Sequence, residues 1–93
     1  MKFNVLIVDD EKNIRDGLAT ALQMDDYDTV TAAHGKEAVE VLSRDEVDLV
    51  ISDLRMPEMS GNELLQHIVQ NSPGVPVIIL TGHGTIETAV QCM

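Results

Sequence analysis

The chain has 93 residues, 44% of them apolar, which is enough for one domain and too few for two. Its 16 acidic against 6 basic residues give a formal charge of −10, which argues against direct binding to nucleic acid or anionic membranes, since both need local positive charge. Cations and basic surfaces are the expected partners. Cys92 is the single cysteine, so no internal disulfide is available, and Met1-Lys2-Phe3-Asn4 leads into a strand pattern instead of a signal peptide. The longest apolar run, Val75 to Leu80, falls far short of the ~20 residues that cross a bilayer. A soluble, cytoplasmic domain is expected, with the thin stability margin of a small chain.

Val5-Leu6-Ile7-Val8 is a continuous apolar, β-branched run that ends at Asp9-Asp10, the pattern of a strand buried on both faces. Ile14, Leu18 and Leu22 then recur at helical spacing, predicting an amphipathic helix from about Glu11 to Met24. Tyr27 to Ala32 alternates as a strand. Gly35 breaks that pattern, and Ala38, Val39 and Leu42 mark one face of a second helix. Val47 to Ser52 is another buried-type strand, stopping at Asp53. Ser60 and Glu63 stand three apart, the spacing of a capping box, and open a third helix whose buried stripe is Leu64/Ile68 and Leu65/Val69. Ser72-Pro73-Gly74 ends it. Val77-Ile78-Ile79-Leu80 is a fourth strand. After Thr81-Gly82-His83-Gly84, a helix is expected from Thr85 through Ile86, Ala89 and Val90. Strands alternating with helices over short loops imply a parallel sheet with right-handed crossovers and helices on both faces.

Ligands of open parallel sheets bind at the carboxyl ends of the strands, where strand order reverses. Three of the predicted strands deliver polar residues there: Asp9 and Asp10 after the first, Asp53 after the third and Thr81 after the fourth. If the first and third strands are neighbours, three carboxylates converge. Crowded carboxylates repel one another unless a cation compensates, and hard oxygen ligands suit magnesium or manganese. A divalent ion there would orient a phosphoryl group and neutralise charge as the group passes to a carboxylate, for which Asp53 is the candidate. The Thr81 hydroxyl could then bond a phosphoryl oxygen. Each residue also has a plainer reading: an Asp-Asp pair is often a helix cap, Asp53 a turn residue and Thr81 a strand end. It is their coincidence at one sheet edge that favours function.

These residues resemble a known family. Val5-Leu6-Ile7-Val8-Asp9-Asp10-Glu11, then Asp53-Leu54-Arg55-Met56-Pro57-Glu58-Met59-Ser60-Gly61, then Leu80-Thr81-Gly82 look like the three signature stretches of receiver domains from two-component signalling. The resemblance runs from Val5 to the end of the chain. It implies a flavodoxin-like doubly wound α/β fold with strand order 2-1-3-4, in which the family's fifth strand and fifth helix are absent and residues 1–93 form a receiver incomplete at its C-terminus. It further implies that Asp53 is the phosphoacceptor and that Asp10 and Asp53 bind Mg2+, with Mn2+ as a substitute. Asp9 would act largely through metal-bound water, the backbone carbonyl of Arg55 would be a further ligand, and Thr81 would be the switch hydroxyl. A sensor histidine kinase as phosphoryl donor and a downstream output domain of the transcriptional kind are the implied partners. The stretch Thr81 to Val90 is similar to receivers of the nitrogen-regulatory class.

The chain departs from the family in having no lysine after Lys36, where a receiver carries one that pairs with the phosphoryl group. Such a charge-assisted partner is worth roughly 1.5–3 kcal/mol. Without a fifth strand, Val77 to Leu80 becomes an exposed apolar edge, from which self-association is expected. His34 and His67 are expected at the surface, and His83 is a poor magnesium ligand by chemistry. Two other functions fit parts of the pattern. A magnesium-dependent phosphohydrolase with an aspartyl-phosphate also uses strand-end carboxylates, but commonly in an Asp-x-Asp arrangement that Asp9-Asp10 lack. A non-phosphorylated interaction module is the other.

Overall fold

The computed structural model describes residues 3–54, 56 and 58–80, and the backbone of 86–89. Strand β1 (Asn4–Val8) is an interior strand of the sheet, and its residues Val5 to Val8 are almost wholly buried. It pairs in parallel with β2 (Asp28–Ala32) on one side and β3 (Leu49–Asp53) on the other, and β3 pairs in parallel with β4 (Val77–Leu80). The four parallel strands therefore lie in the order 2-1-3-4, as expected. Val8 is level with Ser52 and Asp53 with Leu80, so the segments that follow β1, β3 and β4 leave the sheet at one end.

Alternation along β1 assigns the helices to faces. Leu6 and Val8 join Val50, Val77 and Ile79 in a core closed by Ala38 and Val41 of α2 (Gly35–Arg44) and by Leu64 and Ile68 of α3 (Gly61–Asn71). Val5 and Ile7 point the other way, onto Ala19 of α1 (Lys12–Met24), with Leu18 and Leu22 beside it. Helices on both faces of a parallel sheet make the fold doubly wound. The capping box of α3 forms as its sequence predicts: the Ser60 hydroxyl accepts from the Glu63 N–H and the Glu63 carboxylate accepts from the Ser60 N–H. A related exchange starts α2, where Glu37 N–H donates to His34 Nδ1 and the Glu37 carboxylate accepts from Ala33 N–H. Among the described residues, no helix is long and apolar enough to cross a membrane.

Three expectations are corrected. The predicted helix from Thr85 is instead, over Ile86–Ala89, a strand β5 that pairs antiparallel with β4, Val77 level with Ala89 and Leu80 with Ile86. Its Ile and Thr residues are poor helix formers and good strand formers, and the row of peptide groups along the outer edge of β4 offers hydrogen bonds that a short helix cannot match. This antiparallel strand is added to the edge of the four-stranded parallel sheet. As a second consequence, the edge of β4 is covered, which removes the ground for expecting self-association through it. The third correction concerns the helix stripes. Ile14 and Val69 are 43% and 41% exposed, because the contacts of α1 centre on Ala19 and those of α3 on Leu64 and Ile68.

Burial sets the expected energetics. Leu64→Ala, at a fully buried position, is predicted to lower unfolding free energy by about 2–5 kcal/mol in urea denaturation, whereas Val69→Ala costs roughly 1 kcal/mol or less. Equal losses at the two positions would contradict this assignment of the α3 face.

Candidate metal centre

Asp9 follows the last residue of β1 and Asp53 is the last residue of β3. Because Val8 and Ser52 are level in neighbouring parallel strands, these two aspartates leave the sheet side by side, and Asp10 follows in the turn before α1. The structure thus brings together all three predicted carboxylates. One oxygen from each of Asp9, Asp10 and Asp53 lies within 4.8 Å of the other two. Asp9 is buried, Asp53 half-buried and Asp10 exposed, so the cluster opens to solvent on the Asp10 side. Arg55 and Thr81, the remaining predicted site residues, lie outside the described residues, as does His83.

The turn that carries Asp9 and Asp10 is held at several points. Asp9 N–H donates to the Ala32 carbonyl at the end of β2 (3.1 Å), and its carboxylate accepts from the Glu11 N–H (2.9 Å). The latter is an Asx turn ahead of α1, whose N-cap is Glu11 and carries no side-chain cap bond, so the plainer reading of the Asp-Asp pair as a helix cap does not hold. The turn leaves the other Asp9 oxygen for a second partner. The Asp9 carbonyl accepts from Arg15 Nη1 (2.8 Å). Sequence pattern gave no sign of this contact, because a side chain reaching a backbone oxygen six residues back leaves no periodicity. Lys12 is turned away into an exposed pair with Asp16 (2.9 Å).

Close packing fixes the Asp53 side. Leu54 N–H donates to the Leu80 carbonyl (3.0 Å), and Gly61 N–H to the Leu54 carbonyl (2.8 Å), which ties the first residue of α3 back to the end of β3. A Cβ on Gly61 would stand 2.6 Å from the Asp53 carbonyl oxygen and 3.0 Å from Leu54 Cα, so only glycine allows this approach. Ser52, fully buried, donates its hydroxyl to the same Asp53 carbonyl (2.9 Å). In the loop between, Glu58 takes a left-handed backbone with φ of 70°, a conformation that costs a non-glycine residue about 1–2 kcal/mol.

Chemically, three carboxylates gathered at this range present hard, anionic oxygens and little else, which suits a divalent cation of the magnesium or calcium type. At Mg2+–O bonds of about 2.1 Å, oxygens on opposite sides of the ion stand about 4.2 Å apart, so the observed spread is close to what one ion can gather. The donor set fits the cation that the motifs imply.

An open α/β domain with its strand order reversing between β1 and β3, and an acidic cluster at that reversal, is the architecture of a flavodoxin-like ligand-binding domain. Residues 5–93 match the family model for the response regulator receiver domain, and the chain belongs to that family. It is the receiver domain of a two-component response regulator. The chain is 49% identical over 87 residues to the transcriptional regulatory protein GlrR of Escherichia coli, covering 94% of this chain and 20% of that protein. It is 43% identical over 88 residues to the response regulator protein PilR of Pseudomonas aeruginosa, covering 95% and 20%. The chain thus spans about a fifth of the length of these curated relatives. Among solved structures, it superposes on the chemotaxis response regulator CheY4 of Vibrio cholerae with a TM-score of 0.86 at 33% identity, covering 91% of this chain and 72% of that one. The response regulator TrrA of Thermotoga maritima, crystallised with Mg2+ and BeF, gives 0.83 at 39% identity, covering 90% and 72%.

Gly61→Ala is predicted to destabilise the domain by about 1–3 kcal/mol in urea denaturation, since both atoms it meets are backbone and cannot rotate away. An unchanged midpoint would show that α3 does not approach β3 this closely.

Proposed function

We propose that this domain accepts a phosphoryl group on Asp53 from the phosphohistidine of a sensor kinase, in a Mg2+-dependent reaction, and later loses it to water. The observation that carries the reading is the gathering of the Asp9, Asp10 and Asp53 oxygens within 4.8 Å at the carboxyl ends of β1 and β3. Asp10 and Asp53 would hold the ion directly, joined by the Arg55 backbone carbonyl, with Asp9 acting through water. When bound, the ion supplies positive charge to the phosphoryl oxygens and offsets carboxylate repulsion.

An Asp53 carboxylate oxygen forms the new bond to phosphorus as the bond to the histidine nitrogen breaks, and the imidazole departs with the electron pair. Water then attacks the phosphorus of the aspartyl phosphate and releases inorganic phosphate. Position favours Asp53 over its neighbours. Asp9 is buried and Asp10 sits at the exposed mouth, whereas Asp53 is half-buried at the end of β3, where bonds involving Leu80, Gly61 and Ser52 fix the backbone. The Thr81 hydroxyl would take a phosphoryl oxygen and pass the change to the segment after β4. The printed name of GlrR, a transcriptional regulatory protein, supports a transcriptional output domain elsewhere in the regulator and, with it, a cytoplasmic place of action. The chemistry is confined to the domain's own phosphorylation and dephosphorylation.

Incubation with acetyl phosphate and Mg2+ followed by intact mass measurement is expected to show a single phosphoryl adduct, absent in Asp53→Ala and absent when EDTA replaces the metal. An adduct of equal yield in Asp53→Ala would overturn the assignment.

A further inference from the structure

We infer that Arg15 is a positioning residue for the metal centre: by bonding the Asp9 carbonyl, its guanidinium clamps the turn that carries two of the three carboxylates and so raises the affinity of the site for Mg2+. The inference rests on the reading of Asp9, Asp10 and Asp53 as a cation site.

Arg15 engages the turn twice. Its backbone N–H donates to the Glu11 carbonyl (3.0 Å), and its side chain folds back so that Nη1 donates to the Asp9 carbonyl (2.8 Å). Asp9 and Glu11 bracket Asp10, so the two bonds hold both sides of the exposed ligand. The first is ordinary helix bonding and survives any substitution that keeps α1 helical. The second belongs to this side chain alone. Arg15 is only partly exposed, while its neighbours Ile14 and Asp16 are exposed, so the guanidinium lies along the domain and not free in water. With its N–H committed to Ala32 and its carboxylate to Glu11, Asp9 needs one further bond to fix its whole peptide frame, and Arg15 provides it.

Such a clamp favours binding because three carboxylates repel one another and would otherwise splay. Asp10 has the greatest freedom to do so, being exposed. Holding the turn in place spares the ion the cost of drawing the ligands together, the role that partners one step behind metal ligands commonly serve. Charge alone would act in the opposite direction. A guanidinium beside the site repels an incoming dication, so its removal on electrostatic grounds would tighten Mg2+ binding. Positioning and charge therefore predict opposite signs for one substitution.

The test is calorimetric Mg2+ titration of the chain and of Arg15→Met, Arg15→Lys and Lys12→Met, with urea denaturation to establish that each is folded. Arg15→Met is expected to weaken the dissociation constant about tenfold. Arg15→Lys is expected to fall between it and the parent, since an ammonium keeps the charge and a donor but not the fork. Lys12→Met, which removes a nearby charge without touching Asp9, is expected to bind no more weakly than the parent. Unchanged or tighter binding by folded Arg15→Met overturns the clamp. Should Arg15→Met not fold, Arg15→Lys decides: weaker binding supports the clamp and parental affinity overturns it. Failure of the parent to bind, or binding that survives Asp10→Ala combined with Asp53→Ala, overturns the cation site and this inference with it.

Discussion

Strands β1 and β3 lie side by side and parallel, with Val8 level with Ser52, so the aspartates that follow leave the sheet together. Their alignment is pinned at the far end. Asp48 N–H donates to the Asn4 carbonyl and the Asp48 carboxylate accepts from the Asn4 N–H, both at 2.8 Å, while the Asn4 amide reaches the Glu46 carbonyl. A slip of one residue would turn Val5 and Ile7 toward α2 and α3, and Leu6 and Val8 toward α1, breaking both cores at once. The same slip would part Asp9 from Asp53. Hydrophobic packing therefore enforces the register, and the register brings like charges together.

That proximity is electrostatically unfavourable, and bonds from the surrounding structure hold the three residues in place. Asp9 is given an N–H donor from Glu11, its own peptide is tied to β2 and to Arg15, and Asp10 is left in water where its charge is screened. Asp53 is fixed through its backbone, by Ser52, by the Leu54–Leu80 bond and by the close approach of Gly61. The scaffold thus holds the carboxylates near the spacing one cation requires, which is the preorganisation that metal-dependent phosphoryl transfer depends on. A second close contact links this loop to α2: a Cβ on Gly35 would meet the Met59 side chain at 2.6 Å, so the loop after Asp53 packs directly on the start of that helix.

Most of this was legible in the residue pattern, for physical reasons that differ by element. A strand buried on both faces is written as an unbroken apolar run, which is why Val5 to Val8 stood out, as did the apolar run Val77 to Leu80, and the capping pair Ser60 and Glu63 marked the start of α3 within one residue. The cluster was legible because three aspartates follow or end such strands. What escaped depends on neighbours in space. Ile86 to Ala89 has a spacing compatible with a helix, and pairing with the edge of β4, added to the strand preference of Ile86 and Thr88, decides for a strand there. Ile14 and Val69 have the spacing of a buried stripe, but whether a stripe is covered depends on where the sheet lies. The left-handed backbone at Glu58 and the Arg15–Asp9 bond carry no residue-type signal.

The central claim is that three carboxylates on two strands make one cation site, and Mn2+ titration followed by nuclear magnetic resonance tests it most directly. Paramagnetic broadening at low Mn2+ should appear first and together at the amides of Asp10, Glu11 and Leu54, which border the cluster, and should be lost in Asp53→Ala. Broadening that instead spreads among exposed acidic positions such as Asp16, Glu40 and Glu63, with no preference for the ends of β1 and β3, would contradict it.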